Sequence, residues 1–149
     1  MSICFIPIGL AIFLTEAISL LSNDFASATP VVRKELDVEH LIVALMMQES
    51  GGEGEDAPYT IGDNGRAYGC LQVHQLTLTD VNQKLDTDHE LEDLLGNIDL
   101  SKEVCRVYLA IYADDDPTYE ELARLWNGGP EWREKPHTKA YWQSARQFL

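Results

Sequence analysis

Glu49 puts a carboxylate where the local pattern calls for an apolar side chain. In the run from Asp37 to Gly52, Val38, Leu41, Ile42, Leu45 and Met46 recur at the spacing of one helical face, and the next position on that face is Glu49. Gly51-Gly52 ends the run, so the acid falls in the last helical turn. Two effects then favour its neutral form, the loss of surrounding water and the negative end of the helix dipole. A carboxylic acid that keeps its proton toward neutral pH suits general acid catalysis. Asp63 in a Gly-rich loop, Gln72 just beyond it, and Trp126-Asn127-Gly128-Gly129 supply further groups for a shared cleft. A raised-pKa acid, a second carboxylate, amides and flat rings are what cleavage of a glycosidic bond requires. Each group also has a simpler reading: Asp63 in Asp-Asn-Gly as a turn residue, and Trp126 as core.

Other chemistries lack their residues. His40, His74, His89 and His137 show no paired spacing with each other, with Cys or with Glu that suits zinc. The acidic stretches near Asp86 and Asp114 lack the central Gly and terminal Glu of a calcium loop and read as solvated faces. No Gly-rich loop has the form that cradles phosphate, and neither Ser50 nor Cys70 has an evident base beside it. Neither a metal nor another cofactor is expected.

The elements that must position these groups follow from caps and periodicity. Asp37 is the candidate cap of a helix running to Ser50. The stretch from Glu53 to Gly69 reads as a loop with a small hairpin, Asn64-Gly65 giving the tight-turn signal. Leu71 to Val73 is apolar, and Thr79 to Leu85 suits a short helix. From Ser101 a longer helix presents Val104, Val107, Tyr108, Ile111 and Tyr112 on one face. Thr118 and Glu121 form a capping box for a helix that runs to Trp126 and halts at Asn127-Gly128-Gly129-Pro130, and Thr138 can cap a last helix with Tyr141, Ala145 and Phe148 inward. The expected class is α+β, predominantly helical, with a small β-hairpin beside the Glu49 helix.

Length and charge bound the rest. A chain of 149 residues, 45% of them apolar, supports one modest core. Residues 1–28 carry an apolar run from Ile3 to Leu14 and end in Ala26-Ser27-Ala28, a small-x-small cleavage form, so we expect an export signal there, with an ordered amino-terminal helix or a membrane anchor as the alternative, and one domain over 29–149. The run, interrupted by Pro7, is short for a membrane span, and no stable membrane insertion is expected once the signal is removed. A net charge of -14 with no basic cluster disfavours nucleic acid. With Cys4 removed, Cys70 and Cys105 either pair in an oxidising compartment or stay as two half-buried thiols.

Four motifs in order resemble the lysozyme-like superfamily, as found in soluble lytic transglycosylases and goose-type lysozymes. They are Glu49-Ser50, Gly69-Cys70-Leu71-Gln72-Val73, Asn97-Ile98 and Trp126-Asn127-Gly128-Gly129. The loop Gly62 to Gly69 resembles the goose-type segment that carries a second catalytic Asp, and the carboxyl end, from Ala123 through Trp142, resembles invertebrate-type lysozymes and their bacterial relatives. The likeness runs from about Leu41 to Trp142. It implies a lysozyme-like fold, Glu49 as the catalytic acid and Asp63 in the second carboxylate position. It further implies a saccharide groove drawing on Ser50, Tyr68, Gln72, His74, Trp126 and Asn127. His74 stands where goose-type enzymes often have a further Asp, and Trp126 replaces the transglycosylases' Tyr. The implied activity is that of an exported, monomeric muramidase acting on peptidoglycan, in the periplasm or outside the cell. The alternatives are a lytic transglycosylase, with Glu49 as acid and then base, and a non-catalytic peptidoglycan-binding protein.

Overall fold

Five α-helices and a three-stranded antiparallel sheet make up the described chain, a predominantly helical α+β arrangement. A computed structural model describes residues 36–149; the expected signal at 1–28 lies outside them. Helix α1 spans Val38–Glu49, and the Asp37 carboxylate accepts from the His40 N–H as its cap. Leu41, Ile42, Leu45 and Met46 are buried as the stripe predicts, while Val43 on the opposite face is exposed.

After α1, the chain forms strands β1 (Ile61–Gly62), β2 (Ala67–Tyr68) and β3 (Val73–His74), paired in that order. Ile61 faces Tyr68 and Ala67 faces His74, so the expected hairpin gains a third strand. The tight turn is centred one residue earlier than Asn64-Gly65: Gly65 N–H donates to Gly62 C=O, and Asp63 and Asn64 take φ of 47° and 56°. Asx residues tolerate that left-handed backbone, which matches the twist of a short hairpin.

Strand β3 runs straight into α2 (Gln75–Leu85), which begins four residues before the expected Thr79. Helix α3 (Ile98–Tyr112) likewise starts early, because the Asn97 side chain accepts from the Leu100 N–H and caps it. Its buried face is Leu100, Ser101, Val104, Cys105, Tyr108 and Leu109, with Val107, Ile111 and Tyr112 at its margin. Helix α4 (Tyr119–Gly128) opens on the reciprocal Thr118–Glu121 capping box and continues two residues past Trp126.

The last helix, α5 (His137–Ala145), starts directly after Pro136 with no side-chain cap, so Thr138 lies inside it rather than capping it. Thr138 is wholly buried, donates to Lys135 C=O at 2.8 Å and accepts from Arg124 Nε at 3.0 Å. Arg124 also pairs with Glu120 and stacks on the Trp132 ring, so a buried charge is fully partnered where α4 meets α5. A Cβ on Gly128 would stand 2.6 Å from Thr138 Cγ2, so only glycine permits that approach. Ala145 is buried and Tyr141 partly so, whereas Phe148 is 38% exposed rather than inward. Cys70 and Cys105 are buried free thiols, not a bridge, and loss of water raises the pKa of both.

Candidate active site

Glu49 is the final residue of α1, and the stripe that buries Leu45 and Met46 turns its carboxylate into the space between α1, the sheet and α4. Some of its surface stays accessible, but its carboxyl is closely packed, and that desolvation raises its pKa from 4.5 to about 7. Hydrogen bonds from Tyr141 and Trp126 act in the opposite direction and do not overcome it. Tyr141 Oη donates to Glu49 Oε1 at 2.7 Å. Burial, and then the neighbouring Glu49 charge, push the Tyr141 hydroxyl well above its usual range, so it remains a donor through the working pH range. The carboxylate therefore has a fixed orientation and an unsettled proton, the two properties a general acid needs.

A cavity of about 100 Å³ lies against Glu49, lined also by Gln72, Val73, His74, Thr77, Trp126 and Asn127. It shares His74, Thr77, Trp126 and Asn127 with a groove of about 610 Å³ that extends past Tyr108 and Gly128 to Lys135. The cavity and the groove thus adjoin along these four residues. Trp126 packs edge-on against Tyr108, with ring centroids 5.9 Å apart, so each ring supports the other along the groove. Lys135 Nζ donates to Gly128 C=O at 2.6 Å, a cation at the negative end of α4.

Gln72 reaches the cavity through a strained backbone. Its φ is 49°, and its side chain secures that conformation by donating to Gly69 C=O at 2.9 Å. Its carbonyl oxygen lies over Gly62, where a Cβ would stand 1.9 Å away. The sheet and Gln72 are thus interlocked.

The remaining expected residues fall elsewhere. Asp63 does not line the cavity that holds Glu49. Arg66 clasps it, Nη2 meeting Oδ1 at 2.8 Å and Nε donating to its C=O, which leaves Oδ2 3.9 Å from His74 Nε2. His74, which lines both cavity and groove, is therefore the side chain between Asp63 and the acid's surroundings. Ser50 caps the end of α1 and accepts from Gly54 N–H, and it lines neither space. Tyr68 packs on the core from β2 and also lines neither.

Thr77, Tyr108, Lys135 and the acid's partner Tyr141 join the site without having been expected there. For Tyr141 the sequence signals were its inward position on α5 and its place in the carboxyl-terminal stretch that resembles invertebrate-type lysozymes. Among the described residues no group of three or more His, Cys, Asp or Glu is arranged to hold a metal ion, and no helix is long and apolar enough to cross a membrane. Compared with models of protein families, with curated proteins and with solved structures, the chain matches none.

Proposed function

We propose that this protein is a peptidoglycan glycosidase, a muramidase that cleaves the β-1,4 bond between N-acetylmuramic acid and N-acetylglucosamine with Glu49 as general acid. The observation that carries the reading is Glu49 itself, packed at the inner end of an aromatic-walled groove and poised to hold a proton near pH 7. The four motifs that resemble the lysozyme-like superfamily, and the lysozyme-like fold they imply, support it independently.

In the proposed reaction Glu49 gives its proton to the bridging oxygen, the bond from that oxygen to the anomeric carbon breaks, and positive charge develops on the sugar. Tyr141 continues to donate to the new carboxylate and stabilises it. Gln72 and Asn127 offer amides to the N-acetyl groups, and Trp126 gives a wall for a ring. Asp63 serves as the second carboxylate, acting beside His74 on the charge or on the attacking water. Water completes the cleavage by adding a hydroxyl to the anomeric carbon, and the released proton restores Glu49 through solvent. Such a substrate lies outside the cytoplasm, in keeping with the export signal expected at residues 1–28.

One observation favours a second reading. Among the described residues Glu49 is the only carboxylate lining its cavity, and Asp63 stands beyond His74. An acid acting alone suits a lytic transglycosylase, in which Glu49 next takes the proton of the muramic hydroxyl and that oxygen closes an anhydro ring. Mass spectrometry of the ends released from purified peptidoglycan separates the two. Reducing ends are expected; anhydro ends would replace hydrolysis with the second reading, and no release at all would reject both.

A further inference from the structure

We propose that His74 is the base that activates the attacking water and that Asp63 acts on the reaction through it, a step that rests on the glycosidase reading and deepens it. Besides Glu49, the small cavity is lined by Gln72, Val73, His74, Thr77, Trp126 and Asn127. Amides, an indole, a hydroxyl and an aliphatic chain take no proton from water near neutral pH. The neutral imidazole does, so among these described residues His74 alone can complement the acid. Glu49 itself is committed to the leaving oxygen. Asp63 does not line the cavity, and its carboxylate therefore meets a water held there only by way of His74.

The sheet sets the imidazole in place. His74 ends β3 where it enters α2, and it pairs with Ala67, which pairs in turn with Gly62. That register brings the turn after Gly62 alongside His74, so Asp63 Oδ2 stands 3.9 Å from Nε2. Arg66 donates to the other oxygen, Oδ1, at 2.8 Å and to the Asp63 carbonyl at 3.1 Å, which fixes the carboxylate's orientation. An anion on the Nε2 side favours the tautomer that carries its proton there and leaves Nδ1 as the acceptor. The His74 side chain is 51% exposed, so water reaches it. In the step, Nδ1 takes one proton of a water whose oxygen bonds to the anomeric carbon. The bond from that carbon to the bridging oxygen breaks, and the bridging oxygen takes the Glu49 proton. An imidazolium facing Asp63 and a carboxylate held by Tyr141 remain, and passage of the proton from one to the other through solvent restores both.

The test measures kcat and KM on purified peptidoglycan for the full chain and for His74→Gln, His74→Ala and Asp63→Asn, each checked for a native fold and assayed with and without azide. Both His74 variants are expected to lose about 10²- to 10⁴-fold in kcat with little change in KM. Azide attacks without giving up a proton, so it should restore turnover to His74→Ala and leave a glycosyl azide visible by mass spectrometry. Asp63→Asn should lose about two- to fivefold in kcat on its own. In the His74→Ala background it should cost nothing more, a non-additivity that a merely structural Asp63 would not show. Wild-type turnover by His74→Gln, azide without effect on His74→Ala, or a larger loss from Asp63→Asn than from His74→Gln would overturn the proposal. Anhydro ends from the wild type would overturn it too, since that reaction uses no water. Absence of Glu49-dependent cleavage by the wild type would instead reject the glycosidase reading beneath it.

Discussion

The raised pKa of Glu49, the property on which its proposed role rests, carries a structural cost. Its pKa of about 7 in the folded chain stands against an ordinary 4.5, so between those values the folded state keeps a proton that the unfolded state releases. Stability therefore falls as pH rises through that window, by on the order of 3 kcal/mol once pH exceeds the folded value. Glu49→Gln removes the titration, and thermal unfolding should show the variant more stable than wild type at pH 8 and nearly equal at pH 4; a variant less stable at pH 8 would contradict this. Tyr141→Phe withdraws a bond that favours the charged carboxylate, so Glu49 should hold its proton to still higher pH. The alkaline limb of kcat/KM is then expected to move upward, and a limb that stays or moves down would argue against the Tyr141 contact. Glu49 was legible from periodicity alone. Tyr141, 92 residues away, was not visible as its partner, because one helical pattern cannot say which distant side chain covers it. Ser50 and Tyr68 show the converse: neighbours in sequence of residues that bear on the cavity, they turn to a helix end and to the core instead.

Among the elements, the small sheet does more to shape the site than its six residues suggest. Gly62→Ala would drive a methyl into Gln72 Oε1, so the strained Gln72 must leave its position. Loss of about 1–3 kcal/mol in denaturant unfolding and a fall of about tenfold or more in cleavage are expected. Thr118→Ala provides the contrast, since it removes the α4 cap far from the reacting bond. It should cost about 1 kcal/mol of stability and leave the rate per folded molecule unchanged. The capping box at Thr118–Glu121 and the Asp37 cap were readable because each is a local pairing of side chain and backbone. The early starts of α2 and α3 were not, since His74 at the α2 boundary is a weak cap signal and Asn97 was noticed only as part of a motif. Thr138 misled for a related reason: its hydroxyl can cap a helix, but here it serves the buried Arg124.

At the scale of the molecule, helices drawn from both ends of the described chain converge on one acid. Helix α1 carries Glu49, α5 brings Tyr141, α4 brings Trp126 and Asn127, and β3 leads Gln72 and His74 in from the side. Pattern and capping made the helical α+β class readable. They could not say how deep Asp63 would lie, because a hairpin loop can fold onto a helix end or stand beside it at similar local energy. The central claim is that one desolvated carboxylic acid drives glycan cleavage. Its most direct test is the initial rate of peptidoglycan cleavage at pH 6 by wild type and Glu49→Gln, both checked for a native fold. The account predicts a loss on the order of 10²-fold or more in the variant; comparable rates from the two proteins would contradict it.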